Sequence, residues 1–225
     1  MSADSLTQQS ARQALLEAMR ELQAMGLNLG ATGNASVRLD TQAWLVTPTG
    51  VPPNDLRAEQ LVPMDMHGGY SGAWQPSSEW RFHLDIYRQR PEVHAVVHTH
   101  SPYAAAVACH GHDVPAFHYM IAAFGGDTLR CAPYALFGSQ ALSQAALLAL
   151  DQRHACLLAN HGVIALGHDL KQALNRAQAV EALCQQYQLT CSMGQPKRLS
   201  GAQMAEVIER FGHYGQVPQP AGDNP

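Results

Sequence analysis

Two histidines one residue apart, His98-Thr99-His100, end the apolar run that begins at Val93. On a strand, residues two apart project from one face, so both imidazoles can reach a single metal ion. The same spacing also suits two ordinary, partly buried histidines. His161 adds a third imidazole at the end of another apolar run, Cys156–Ala159, and Gly162 behind it permits close backbone approach. Three neutral imidazoles leave a coordination position open, the mark of a catalytic rather than a structural Zn2+ site. Imidazole also suits Mn2+ or Co2+. Glu79 follows Pro76-Ser77-Ser78, a helix-start pattern with serine at the N-cap. A carboxylate there can be a plain cap, favoured by the helix dipole. If that helix start faces the metal, Glu79 instead ligates the empty ion or serves as a base.

Three small-polar pairs, Gly33-Asn34, Thr49-Gly50 and Ser77-Ser78, each sit at an expected loop or helix start. Together they offer backbone N–H and hydroxyl donors to a phosphate. Singly, each is an ordinary turn or cap. Neither G-x-x-x-x-G-K-[ST] nor a strand-linked G-x-G-x-x-G occurs, which argues against the common nucleotide cradles and leaves a small phosphorylated molecule. The aromatics of His118-Tyr119-Met120 and Tyr214 lie in or beside loops, where packing is the plain reading.

The elements that must position these groups follow from periodicity. Apolar residues at Leu15, Leu16, Met19 and Leu22 predict an opening helix over 5–25, ended by Gly26. Short strands are expected at Val37–Leu39 and Trp44–Val46, a helix over Glu79–Tyr87, a buried strand over Val93–His100, and a helix entered by Ser101-Pro102. A loop-rich stretch, Gly111–Gly138, precedes a helix (Ser139–Arg153), a strand (Ala155–Ala159) and a helix (Asp169–Thr190), with Asn160-His161-Gly162 as a turn between the last two. A final amphipathic helix covers Gly201–Phe211, and a Pro- and Gly-rich tail over 216–225 is expected to fray. With no internal repeat, this reads as one α/β domain over 1–215.

Composition narrows the class. The 225 residues are 46% hydrophobic and only 14% charged, against about 25% charged in a typical domain, which points to extra buried surface such as a subunit contact. Net charge is −4 and the basic residues are dispersed, so nucleic acid is not an expected partner. Five cysteines without C-x-x-C spacing, a polar start and no apolar run approaching about 18 residues fit a cytoplasmic protein with no membrane partner.

Beyond these separate readings, the segments in their order resemble the class II aldolase/adducin family, and within it the branch that cleaves L-fuculose 1-phosphate. The likeness runs from about 26 to 215. It is carried by Gly33-Asn-Ala-Ser-Val-Arg38, Thr47-Pro-Thr-Gly50, Pro76-Ser-Ser-Glu-Trp-Arg-Phe-His83, His118-Tyr-Met-Ile-Ala-Ala123, Cys131-Ala-Pro-Tyr134, Phe137-Gly138 and Phe211-Gly-His-Tyr-Gly215. The resemblance implies a three-layer α/β/α fold with a largely antiparallel central sheet. It implies a four-fold symmetric homotetramer with active sites between subunits. It also implies a zinc-dependent aldolase that reversibly cleaves a ketose 1-phosphate to dihydroxyacetone phosphate and an aldehyde. A sugar-phosphate 4-epimerase, a methylthioribulose-1-phosphate dehydratase and a non-enzymatic adducin-like module are the family's other possibilities.

By the same resemblance His98, His100 and His161 are the metal ligands, and Glu79 binds the empty metal and moves a proton. Tyr119 reaches into a neighbouring subunit's site as the acid at the aldehyde end. Gly33, Asn34, Thr49, Gly50, Ser77 and Ser78 form the phosphate pocket. Phe137, Phe211 and Tyr214 surround the aldehyde side. Ala31, Thr99 and Ala159-Asn160 depart from the family's pattern. They remove no ligand and bear on the substrate instead, since Thr99 and Asn160 lie beside the metal ligands and could tune them.

Overall fold

Seven short strands form one twisted sheet in the order β3-β2-β1-β4-β7-β6-β5 in the computed structural model, which describes residues 3–212. They are β1 (Asn34–Arg38), β2 (Ala43–Val46), β3 (Val62–Asp65), β4 (Ala95–Thr99), β5 (Cys131–Ala132), β6 (Ala155–Leu158) and β7 (Gly162–Gly167). Every pairing is antiparallel except β5 with β6, so the sheet is mixed and mostly antiparallel. Central β4 is buried along its whole length, as a strand covered on both faces must be.

Alternation along β4 divides the core in two. Ala95 and Val97 face one layer, with Leu15 and Leu22 of α1 (Ala3–Ala24), Val107 of α3 (Pro102–Ala108) and Ala173, Ala177 and Val180 of α5 (Leu170–Ser192). Val96 faces the other layer, with Phe82, Ile86 and Tyr87 of α2 (Trp80–Gln89) and Leu142 and Ala146 of α4 (Gln140–Ala149). A short helix, α6 (Gly201–Phe211), packs by Met204 on the first layer. The result is the expected α/β/α sandwich. Trp44, Phe82 and Tyr87 are essentially fully buried, and burying each such ring contributes about 2–3 kcal/mol. Among the described residues no helix is long and apolar enough to cross a membrane.

Ser139, Asp169 and Ser200 cap their helices, and the side chain of each accepts a backbone N–H of the first turn. No such bond forms at α3, whose N-cap is Ser101, or at α2. The N-cap of α2 is Glu79 rather than a serine, and the Glu79 side chain makes no capping bond. Ser77 Oγ accepts the Glu79 N–H at 3.3 Å instead, so the carboxylate is left for another use.

Four stretches differ from the sequence expectation. β1 begins at Asn34, three residues earlier than its apolar signal. β3 and β7 stand where the sequence pattern predicts no element, although β7 pairs with both β4 and β6. The loop-rich region also contains a 3-10 segment, Tyr119–Phe124, and β5. Tyr214 and the tail over 216–225 lie outside the described residues.

Candidate metal centre

Antiparallel register carries the site. β4 is flanked by β1 and β7, with Asn34 opposite His98 and Ile164 opposite His98 on the other side. His98 shares the Val96 face, and His100 follows two residues on, just past the strand. The tight β6–β7 turn brings His161 to them. In that turn Asn160 adopts φ 54°, one of the few non-glycine types that tolerate the left-handed region. Gly162 is needed for proximity rather than for φ, since a Cβ there would lie 2.2 Å from the Thr99 carbonyl oxygen and 3.0 Å from His100 Cδ2.

The three imidazoles stand at the corners of a triangle, ring centroids 4.8 Å apart on each side and planes at 69–78°. His98 Nδ1 lies 2.8 Å from the Val163 carbonyl oxygen, to which it donates. That bond fixes its tautomer and leaves Nε2 bare, as second-shell bonds do for metal-ligating histidines. Nε2 then sits 2.9 Å from His100 Nε2 and 3.1 Å from Glu79 Oε2. Glu79 Oε1 lies 3.2 Å from His161 Nε2 without the alignment of a hydrogen bond, and so has no hydrogen-bond partner despite its burial. One donor atom from each of the four residues falls within 4.8 Å of the others.

Electrostatics agree with this geometry. Burial, helped by the neighbouring imidazole charge of His98, pushes His100 and His161 each down to about 4. For Glu79 burial acts to raise the pKa, but His98, His161 and the Asn34 hydrogen bond outweigh it and hold the carboxyl well below its ordinary range. Bare imidazole nitrogens and an anionic oxygen that lacks a partner form a donor set for a divalent cation. The residues present therefore fit a metal ion.

An open cleft of about 320 Å³ begins at this cluster. His100, His161, Glu79 and Asn160 line one end. Gly33, Asn34, Thr49, Gly50, Ser77 and Ser78 line it together, so all three small-polar pairs meet there. Gly33 has φ 75°, and a Cβ would lie 2.7 Å from the His98 carbonyl oxygen, so the first loop lies directly against β4. Gly50 is likewise left-handed, at φ 71°. Among the described residues, no Lys or Arg lines the cleft. Tyr134, Ala135 and Phe137 form its apolar wall, and Phe137 is 62% exposed.

Not every residue singled out in the sequence lies here. Tyr119 and Phe211 line a separate depression with Met120, Val207 and Arg210. Tyr119 is half exposed and contributes nothing to the cleft of its own chain. Sequence reasoning also missed two residues and a second role for a third. Asn34 was singled out only for phosphate, yet its Nδ2 donates to Glu79 Oε2 at 2.9 Å. His83 and Ser36 lie buried behind it. Their signal was polar side chains at strand and helix positions that should face a core.

Comparison with known proteins agrees with the fold. The family described as Class II Aldolase and Adducin N-terminal domain matches residues 13–188. The chain is 46% identical over 212 residues to a 5-methylthioribulose-1-phosphate/5-deoxyribulose-1-phosphate aldolase of Rhodospirillum rubrum, covering 93% of this chain and 96% of that one. It is 44% identical over 202 residues to an L-fuculose phosphate aldolase of Escherichia coli, covering 89% and 94%. Among solved structures it superimposes on an L-fuculose 1-phosphate aldolase with a TM-score of 0.87 at 34% identity, covering 94% of this chain and 98% of that one.

Proposed function

The chain belongs to the class II aldolase and adducin family as one of its aldolases, and on that premise we propose that it reversibly cleaves a ketose 1-phosphate to dihydroxyacetone phosphate and a small aldehyde. The observation that carries the reading is one continuous cleft with Glu79, His100 and His161 of the four-residue donor cluster at one end and three uncharged phosphate-type loops beside it.

His98, His100 and His161, with Glu79 when substrate is absent, would hold the metal ion, for which Zn2+ is the first choice and Mn2+ or Co2+ the alternatives. When bound, the ion supplies a Lewis acid that draws electron density from the substrate's ketone. Backbone N–H groups at Gly33 and Gly50 and the hydroxyls of Thr49, Ser77 and Ser78, with Asn34, anchor the phosphate. Donors without cations suffice for this, because oriented N–H groups carry their own partial charge. Cleavage breaks the bond between the carbon beside the ketone and the hydroxyl-bearing carbon. The proton of that hydroxyl leaves as the aldehyde forms, and Glu79 delivers a proton to the carbon left behind.

Tyr119 is assigned the aldehyde end, exchanging a proton with its oxygen. Since it stands away from its own cleft, the assignment requires a neighbouring copy to bring it there, in keeping with a homotetramer whose sites lie between subunits. Phe137, with Phe211 and Tyr214 from the segment that closes the chain, would surround the aldehyde. The apolar wall of Tyr134, Ala135 and Phe137 favours an aldehyde ending in a methyl or methylthio group, as in the substrates that the relatives' names give. A cytoplasmic setting suits the five free thiols.

The test is Glu79→Gln. The variant keeps the three imidazoles and should keep its metal, while solvent exchange of the dihydroxyacetone phosphate proton slows by about 10²–10⁴-fold, the usual contribution of a positioned acid–base group. Unchanged exchange would remove Glu79 from the role.

A further inference from the structure

Behind the cleft runs a hydrogen-bonded row that the reaction as described does not use. Asn34 and Ser36 point from β1 toward α2, where Glu79, His83 and Tyr87 stand four apart. Asn34 Nδ2 donates to Glu79 Oε2 at 2.9 Å. Asn34 Oδ1 lies 2.6 Å from His83 Nε2, Ser36 Oγ lies 2.7 Å from His83 Nδ1, and Tyr87 OH lies 2.7 Å from the same Oγ. His83 and Ser36 are completely buried. The His83 ring is held in plane between Phe82, at 4.5 Å and 27°, and Trp44, at 6.2 Å and 18°.

Donor counting gives the row a single direction. An anionic Glu79 requires a donor facing Oε2, so the amide of Asn34 must turn Nδ2 toward it, because the reversed amide would set oxygen against oxygen. Oδ1 then faces His83 and must receive a hydrogen, which places the imidazole proton on Nε2. Nδ1 is therefore an acceptor and takes the Ser36 hydroxyl hydrogen, and Ser36 Oγ in turn accepts from Tyr87. Each partner has one possible role once the carboxylate is charged. The amide of Asn34 neither gains nor loses a proton near neutrality, so the row cannot conduct one, and the proton handled by Glu79 must pass by way of the cleft. What the row can do is aim.

Resting on the aldolase reading above, we propose that His83 is a positioning residue for the proton-transfer step: its Nε2–H fixes the Asn34 amide, which in turn fixes the orientation of the Glu79 carboxylate. An ordinary core histidine would need only satisfied nitrogens. This one must carry its proton on Nε2, since the other tautomer would leave Asn34 Oδ1 facing a lone pair.

The experiment compares His83→Phe, His83→Gln and wild type. Phenylalanine fills the aromatic slot but has no donor, and glutamine restores an N–H that can reach Asn34 Oδ1. With one metal ion per chain retained, His83→Phe should lower kcat and the dihydroxyacetone phosphate proton-exchange rate by about 10- to 100-fold, the range for loss of an outer-shell partner. KM should stay within about two-fold, since Gly33, Thr49, Gly50, Ser77 and Ser78 are untouched, and His83→Gln should recover most of the rate. Should His83→Phe not fold, Ser36→Ala removes the donor to Nδ1 and should lower kcat several-fold with KM held. Nitrogen-15 NMR of metal-free wild type should find the His83 proton on Nε2.

A folded, metal-bearing His83→Phe with wild-type kcat overturns the proposal, as does equal impairment of the phenylalanine and glutamine variants or an Nδ1–H tautomer in wild type. A wild-type protein that exchanges no dihydroxyacetone phosphate proton defeats the aldolase reading instead, and the tautomer measurement still decides the direction of the row.

Discussion

Replacing Gly162 by alanine adds one methyl group at the point where β7 meets β4. Gly162 is not in the left-handed region, so alanine meets no backbone strain and the perturbation is steric alone. The added carbon would lie 2.2 Å from the Thr99 carbonyl oxygen, where ordinary contact starts at 3.4 Å, so the two backbones must separate by about 1 Å. That contact lies between the strand carrying His98 and His100 and the turn carrying His161. Metal–ligand distances tolerate about 0.2 Å, so the displacement is several times what the donor set can absorb. Overpacking of this kind costs about 1–3 kcal/mol, or a lowering of Tm by about 2–12 °C for a chain of this size. Zn2+ affinity, measured by competition with a chromophoric chelator, should fall by at least about ten-fold. Gly50→Ala is the matched control. It faces open space at φ 71°, so it should lose about 1–2 kcal/mol of stability through strain alone and keep its metal affinity. If Gly162→Ala bound Zn2+ as tightly as wild type and melted with it, the claim that close strand approach builds the site would fail.

Acidification tests the buried histidines. His83 is held at about 3 chiefly by burial, His154 at about 4 by burial and the charges of Arg176 and Arg90, and His100 and His161 at about 4. The unfolded chain, with histidines near 6.5, therefore binds more protons than the folded one below that pH. Stability is fully present above about 6.5 and is lost as pH falls toward 3–4. His83 alone sets a slope of about 1.4 kcal/mol per pH unit across that window, and the partly exposed histidines add less because solvent screens them. Thermal melts of metal-free protein between pH 7 and 4.5 should show a steady fall in Tm, and a flat profile would contradict it. Ser78→Asp puts a carboxylate in the cleft lining and should raise KM for the phosphorylated donor by about ten-fold or more, the equivalent of about 1.4 kcal/mol of repulsion; an unaltered KM would place the phosphate elsewhere.

Legibility in the sequence depended on how far each signal reached. His98 and His100 could be paired because a strand's two-residue period is local, and His161 because its apolar run and following glycine mark a strand end. β7 was missed because the connection from β6 is so short that the Gly162–Gly167 run looked like the exit from a turn. β3 was hidden by Pro63, which suits an edge strand and reads as a break. Glu79 stayed ambiguous between cap and ligand, since the two uses differ only in where the side chain turns. Folding separates them, because the helix start is left without a carboxylate cap while the carboxylate meets two imidazoles. Tyr119 stands apart from the cleft of its own chain, so its proposed place at the aldehyde end rests on the resemblance and on no residue pattern within the chain.

The buried polar row shows a further kind of information, present in the sequence but unreadable from either segment alone. Two residues of strand advance about 6.6 Å, and four residues of helix advance about 6 Å. Asn34, Ser36 and Arg38 at every second position of β1 therefore keep step with Glu79, His83 and Tyr87 at every fourth position of α2. The third step is made by Arg38, whose Nη2 donates to the Tyr87 carbonyl at 2.6 Å and whose guanidinium lies 4.8 Å from the Tyr87 ring centre. A drift of about 0.6 Å per step lets such a match persist for three pairs and not much longer. Each set of polar residues, read alone, breaks the apolar pattern expected of an element that faces a core. Set against each other they satisfy one another, and the end of the row that reaches the cleft is the carboxylate of Glu79.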